Sequence, residues 1–368
     1  MGWKPDTTRE SCVAYYGGME QLARLRRGMI TEGKGAGVET VDVDTGGGLS
    51  YTVLPGRGMD IAWTSYRGIP VSYLSKAGVT APAYHDPREM QWLKSFFAGL
   101  VTTCGMSNAG PPCRDELPVV GDTPYGLHGD VSNTGADNLC TREEWTEDGR
   151  YRLWVSGRMR EGRLHGENLE LRRDLTSYLG EKRIFVRDVF SNQGDTPQPL
   201  TFFYHINIGH PLLSADSRFV SPSVELTPAS PQAREHLSSW DRFDPPTAGY
   251  LERQYYHALA AREDGSTLAA LVNDRLGLGL CLRFNRRELP CFSHWKVCRK
   301  GEYVLAFEPG NCYPWGRDRL RREKLLETLA PMERHSVGFV IEILDGPEEI
   351  RAVCHEIEQL LKEGKERK

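Results

Sequence analysis

Apolar residues recur at every second position along much of this chain, and that period limits the fold more than any other feature. Leu49, Tyr51 and Val53 alternate with polar neighbours before the Pro55-Gly56 pair. Tyr151, Leu153, Val155 and Met159 repeat the pattern, as do Leu278, Leu280, Leu282 and Phe284, and then His335, Val337, Phe339, Ile341 and Ile343. Side chains of a strand point alternately to its two faces, so a period of two marks a strand buried on one side. Turn-forming clusters separate the runs: TGGG at 45–48, SNQGD at 191–195 and EDG at 263–265. Strands do not alternate with helices in a βα rhythm. The pattern predicts an all-β chain, a large antiparallel β-sandwich with a few peripheral helices.

Length allows two average domains in 368 residues, but large all-β folds often run long as one. No composition shift, repeat or low-complexity tract divides this chain. One domain is expected over 1–346, with an amphipathic helix over 347–368 packed on it. Pro347 suits a first helical turn, and Ile350, Val353, Cys354, Ile357, Leu360 and Leu361 recur at three and four residues. The closing KEGKERK is expected to fray. A second short helix is expected over 19–30 (MEQLARLRRGMI). Ser221–Gly249, with five prolines, reads as a long connection over one end of the sandwich.

A formal charge of −4 and a pI near 6.2 favour neither nucleic acid nor membrane as partner. MGWKPDTTRESC has no apolar run of signal-peptide length, and no stretch is apolar for long enough to cross a bilayer. The 9 Cys are scattered without a CxxC pair, which fits a reducing, cytoplasmic setting. The 8 Trp suit sugar stacking, although core packing accounts for most tryptophans. A phosphate loop GxxxxGK[ST], a strand-borne GxGxxG, an HExxH pair and a GxSxG elbow are all missing.

Five segments could carry chemistry. In LTFFYHINIGHPLL (200–213), read as a strand, His205 and Asn207 share one face while Phe202, Tyr204 and Ile206 take the other. That is a plausible site floor, or simply a histidine satisfied within a polar layer. In YVLAFEPGN (303–311), Glu308 ends an otherwise apolar strand face. If it sits in a cleft, desolvation makes it a better base near neutral pH; at a wet rim it does nothing special. YGLHGD (125–130) sets His128 between glycines, either close to a ligand or on an exposed turn. LPGRGMDI (54–61) offers Arg57 and Asp60 at a tight turn, as sugar contacts or as a surface salt bridge. In SHWKV (293–297), Trp295 and Lys296 alternate, so only one shares the face of His294. His128, His205 and Glu308 together could in principle ligate a metal, but their spacing matches no helical metal motif, and none is assigned.

In their order, these pieces resemble the aldose 1-epimerase (galactose mutarotase) superfamily. YHINIG is similar to the strand motif NHxYFNL that carries that family's catalytic acid, which implies His205 for the role and Asn207 beside it. LHGD is similar to the LHGG loop and implies His128 as a sugar contact. FEPGN resembles the late strand bearing the catalytic glutamate and implies Glu308. GRGMDI, LVTTCGMSNAG (100–110), LHG, and WK followed by EPGN resemble still more the DUF4432 branch. The order of these blocks matches from about residue 30 to 345. There are departures. The family's Asn-Arg pair is not seen before the histidine loop, where Ser107-Asn108 stands nearest. The sugar-contacting aspartate has no sure counterpart, and Ile206 replaces an aromatic.

The resemblance implies a mutarotase-like supersandwich that interconverts sugar anomers through acid-base ring opening. Glu308 would take the proton of the anomeric hydroxyl and His205 would protonate the ring oxygen, from opposite sides of the hemiacetal. His128, Arg57, Asp60, Asn207, Lys296 and Asn108 are the implied substrate contacts, with Arg57, Asp60 and Lys296 at the cleft rim. No cofactor and no metal is called for. The expected partner is a small-molecule carbohydrate, with a homodimer as one assembly open to the chain. Two other readings stay open: an isomerase or lyase acting on an acidic or keto-sugar in the same cleft, with Arg57 and Lys296 meeting a carboxylate, and a non-catalytic carbohydrate-binding protein.

Overall fold

A computed structural model describes residues 6–117 and 119–366. Two antiparallel sheets face each other. The front sheet has 12 strands. Across it lie Arg24–Met29, Glu39–Asp44, Leu49–Leu54, Asp60–Tyr66, Val101–Met106, Gln198–Ile208, Glu302–Gly310, Cys291–Arg299, Arg253–Leu259 and Ser223–Pro228, with the short strands Ile69–Pro70 and Glu327–Leu329 pairing with the ends of Asp60–Tyr66 and Gln198–Ile208. The back sheet has 8 strands, centred on Arg183–Asn192, Arg334–Asp345 and Leu278–Asn285. The expected all-β sandwich is the observed fold, with helices only at its periphery.

The alternation seen in the sequence fills the space between the sheets. Val41, Val53, Ile61, Val101, Phe202, Tyr204, Ile206 and Phe307 point inward from the front sheet, and Leu153, Leu171, Val186, Leu282 and Phe339 meet them from the back. Fully burying one such side chain contributes about 1.5–3 kcal/mol, so register is held firmly wherever a face is buried. The same register therefore decides which residues reach the outer face.

The helix Pro347–Glu366 lays Ile350, Val353, Cys354, Ile357 and Leu360 on the outer side of the back sheet, against Leu268, Val272, Cys281 and Leu344. It stays helical to Glu366, so the KEGKERK segment does not fray over 362–366; the last two residues lie outside the described ones. The helix expected over 19–30 is not formed. Met19–Gln21 makes one 3-10 turn and Arg24–Met29 is a strand. Pairing decides the matter: Arg24 and Arg26 fall opposite Asp44 and Asp42, and the Arg24–Asp44 ion pair closes at 3.3 Å. Helical periodicity over so short a run is weak against a sheet edge that satisfies every backbone group on one side. Ser221–Gly249 is not a bare connection either. It supplies the flanking strand Ser223–Pro228 and a short helix, Pro231–Glu235, before an irregular run.

Candidate active site

Five neighbouring strands of the front sheet build the candidate site on their outer face. The central strand Gln198–Ile208 pairs Ile206 with Phe307 and Phe203 with Gly310, which sets His205 beside Glu308. On its other side His205 is level with Thr102. The hairpin Cys291–Arg299/Glu302–Gly310 places Ser293 opposite Glu308, and Tyr256 is level with Ser293 one strand further on. One row across the sheet therefore reads Thr102, His205, Glu308, Ser293, Tyr256. The residues one step along each strand face the core.

Within this row His205 Nε2 lies 3.3 Å from Glu308 Oε1. The other ring nitrogen, Nδ1, meets Asn207 Oδ1. The Asn207 amide nitrogen is already committed, donating to the carbonyls of Ala98 at 3.1 Å and His205 at 2.9 Å. Its oxygen can only accept, so His205 carries its proton on Nδ1 and turns the lone pair of Nε2 towards Glu308. Glu308 Oε2 accepts from Ser293 Oγ at 2.7 Å and from Gln254 Nε2 at 2.8 Å. With Oε2 filled by donors, a proton on Glu308 belongs on Oε1, the oxygen facing His205.

Burial pushes the two groups in opposite directions. Glu308 is only 4% exposed, and desolvation raises its pKa to about 7 against the opposing bonds from Ser293 and Gln254. Desolvation lowers His205 to about 4, against the bond to Asn207. Between about pH 4 and pH 7 the pair thus holds one titratable proton, and the glutamate carries it. Two titratable groups pushed apart by their surroundings are the usual mark of an acid-base pair. The two groups stand side by side on one sheet face, not on opposite sides of a substrate.

Aromatic rings surround the pair. Trp295 lies edge-on to His205 at 5.3 Å and Phe96 at 5.1 Å. His128 reaches the same cluster from its loop, with Trp92 at 4.8 Å and Phe203 at 5.1 Å. It takes a left-handed backbone (φ 59°), and its Nδ1 accepts from the Gly110 amide at 3.2 Å. Burial and the nearby His205 hold its pKa well below the usual imidazole range. A cleft of about 710 Å³ opens beside the pair, which does not itself line it; Gln254, which bonds Glu308, and Trp295 and Phe96, which pack on His205, stand between the two.

Four residues expected as substrate contacts are placed elsewhere. Arg57 is 1% exposed, and its guanidinium donates to the carbonyls of Ser132, Thr80 and Ser95, tying three loops together. Asp60 is fully buried and accepts from Thr103 and from Arg173 of the back sheet, so it joins the two sheets. Lys296 shares the inward face of His294; its Nζ donates to the carbonyls of Ser239, Trp240 and Arg242 at 2.7–2.9 Å and pins the irregular run after Pro231–Glu235. Asn108 bonds the carbonyls of Pro111 and Gly126 and the amide of Arg317. Short polar residues beside turns are as useful for fastening buried loop carbonyls as for meeting a ligand, and here fastening wins. Asn207 orients His205 directly. Sequence reasoning missed Gln254, Ser293 and Phe96, and named Trp295 without assigning it to the site. Among the described residues, no group of three or more His, Cys, Asp or Glu side chains is arranged to hold a metal ion, and no helix is long and apolar enough to cross a membrane.

Known structures share this architecture. A Klebsiella pneumoniae protein described as a "putative aldose 1-epimerase" superposes with a TM-score of 0.85 at 24% identity, covering 93% of this chain and 90% of its own. A galactose mutarotase-like protein from Clostridium acetobutylicum gives 0.60 at 13% identity, covering 88% and 99%. The galactose 1-epimerase of Lactobacillus acidophilus gives 0.58 at 13%, covering 88% and 100%. At these identities the likeness is one of fold. No curated protein matches the sequence. Residues 35–343 match the model of DUF4432, described as a domain of unknown function, and the chain belongs to that family.

Proposed function

We propose that this protein is an aldose 1-epimerase-like isomerase that interconverts the anomers of a reducing sugar. The observation that carries the reading is the His205–Glu308 contact of 3.3 Å on the outer face of the front sheet, beside a cleft bordered by Gln254, Trp295 and Phe96. The anomeric hydroxyl and the ring oxygen of an aldopyranose are both bonded to C1, so two adjacent side chains on one face can serve both. In the roles implied by the resemblance, Glu308 first passes its proton from Oε1 to His205 Nε2, and then takes the proton of the anomeric hydroxyl while His205 protonates the ring oxygen. The bond from C1 to the ring oxygen breaks and the carbonyl at C1 forms. Rotation about C1–C2 and the reverse transfers close the other anomer. The proton that His205 delivers is the one passed to it by Glu308, and the reverse transfers restore it, so nothing is consumed.

Asn207 holds the imidazole in the required tautomer, while Ser293 and Gln254 keep Oε1 as the active oxygen of Glu308. His128 lines the ring cluster beside the pair and is proposed as a hydroxyl contact. The solved proteins of this architecture whose names refer to sugar epimerisation support the same assignment. The test is NMR saturation transfer between α and β anomers over a panel of neutral and acidic aldoses, with spontaneous exchange subtracted. Acceleration of at least one aldose is expected. Sugar binding without acceleration of any would leave a carbohydrate-binding protein instead.

A further inference from the structure

The cleft starts at the neighbours of the acid-base pair, Gln254, Trp295 and Phe96, and runs away from the pair. Trp295, Val297 and Arg299 project on the same face of their strand, and Arg299 stands opposite Glu302 on the strand that carries Glu308. A strand advances about 3.3 Å per residue, so the six residues from Glu308 to Glu302 cover roughly 20 Å. The 710 Å³ cavity follows this line, from Gln254 and Trp295 beside the pair, past Val297 and Leu251, to Lys76, Arg299 and Glu302 at the far end. A single pyranose ring seated on His205 and Glu308 would leave most of that length empty.

The far end has a distinctive charge arrangement. Lys76 Nζ and Arg299 Nη1 both bind the one carboxylate of Glu302, the arginine at 3.1 Å. Arg299 is oriented by a further bond from Nε to the Tyr250 carbonyl at 3.0 Å. Two cations sharing one carboxylate leave a net positive charge facing the cleft. The other acid of the cleft, Glu252, accepts from Trp295 Nε1 at 2.8 Å, near the opposite end of the run. Between the ends the wall is aromatic and aliphatic, which suits the C–H faces of sugar rings.

We propose that the cleft takes a reducing oligosaccharide of two or three rings whose far ring is a uronate, with the carboxylate between Lys76 and Arg299 and the reducing end on the His205–Glu308 pair. The proposal rests on the epimerase reading for the placement of the reducing end. It transfers the acid-sugar alternative from Arg57 and Lys296, which are buried and engaged, to two cations that face the cleft.

The experiment compares neutral and uronate-terminated reducing di- and trisaccharides of glucose by titration calorimetry, with anomer exchange of glucose followed in parallel by NMR. The uronate-ended sugars should bind about 3- to 10-fold tighter at low salt, the range of one or two partly exposed ion pairs. The preference should shrink at 0.5 M NaCl. Lys76→Glu should abolish or invert it, and the side chain of Lys76 is 80% exposed, so its replacement does not threaten the fold. Equal affinity for neutral and acidic sugars, or a preference that survives Lys76→Glu, would overturn the proposal. A uronate preference without acceleration of any anomer would uphold this cleft assignment and sink the epimerase reading. Acceleration of glucose with no uronate preference would do the reverse.

Discussion

Two clusters of buried titratable groups lie on opposite faces of the same strand. On the outer face, His205 contacts Glu308. On the inner face, Tyr204 donates to Asp188 at 2.6 Å, and Asp188 and Asp60 enclose Arg173 between the sheets. Both clusters are almost fully buried. The inner one is closed. Arg173 bonds both carboxylates and Thr103, and although burial works against its charge, Asp188 and Asp60 raise its pKa above the usual guanidinium value. The outer one has no such countercharge, so burial favours the neutral form of both groups, raising the pKa of Glu308 and lowering that of His205. Burial alone therefore does not mark a site. What separates the clusters is whether the buried charge has been answered, and a cluster that holds a transferable proton beside a cleft is the one suited to chemistry.

Catalysis should separate them most. Glu308→Gln and His205→Asn should each lower catalysed anomer exchange by ~10²–10⁴-fold while sugar binding persists. The double variant should be little worse than either single one, because one proton path uses both groups. Saturation-transfer NMR on a sugar that the native protein turns over decides this; full activity in both single variants would remove the pair from the mechanism.

The inner cluster should answer in stability. Asp188→Asn strips Arg173 of its bidentate partner and should cost about 3–5 kcal/mol in urea unfolding, as breaking a buried ion pair does. A loss under about 1 kcal/mol would mean that the two clusters are energetically alike.

A third test uses the sign of the pH dependence. Glu308 has a folded pKa near 7, above the unfolded value near 4.5. Its contribution to stability is therefore full below about pH 4.5 and is lost as pH rises through 7, where the ionised group sits buried. Glu308→Gln escapes that loss, so the variant should be more stable than the native protein at pH 8 by about 1–3 kcal/mol, with the gain vanishing near pH 4. Thermal unfolding at both pH values gives the comparison; a variant less stable at pH 8 would show that the carboxylate is answered after all.

The smallest effect concerns Ser293. Its bond to Oε2 favours the ionised form of Glu308. Ser293→Ala should raise the pKa further and move the alkaline limb of the exchange rate upward by somewhat less than one pH unit. An unmoved limb would assign that limb to another group.

Several parts of this picture were legible along the chain. Period-two runs pointed to the sandwich because an apolar face must be buried wherever it occurs, and the face shared by His205 and Asn207 follows from alternation alone. Ser293 could also have been found. The two-residue turn Lys300-Gly301, with Gly301 at φ 78°, joins adjacent strands, and counting back from Arg299 opposite Glu302 sets Ser293 opposite Glu308. The Glu308–Gln254 bond could not be counted in this way, because the strand carrying Gln254 reaches its neighbour through a long connection that includes two strands of the back sheet.

By itself the sequence determined the all-β class, the alternation of faces and the amphipathic closing helix, which depend on neighbours a few residues apart; the acid-base candidates came from the order of motifs that resemble a known superfamily. Only the tertiary structure decided that His205 stands beside Glu308, a partner far along the chain. It alone decided that Arg57, Asp60, Lys296 and Asn108 fasten the scaffold instead of facing the cleft. A polar side chain beside a turn reads the same in sequence whether it meets a ligand or a buried carbonyl. Which of the two it meets depends on how the loops close over the sheet, and that is set by packing between segments distant in the chain.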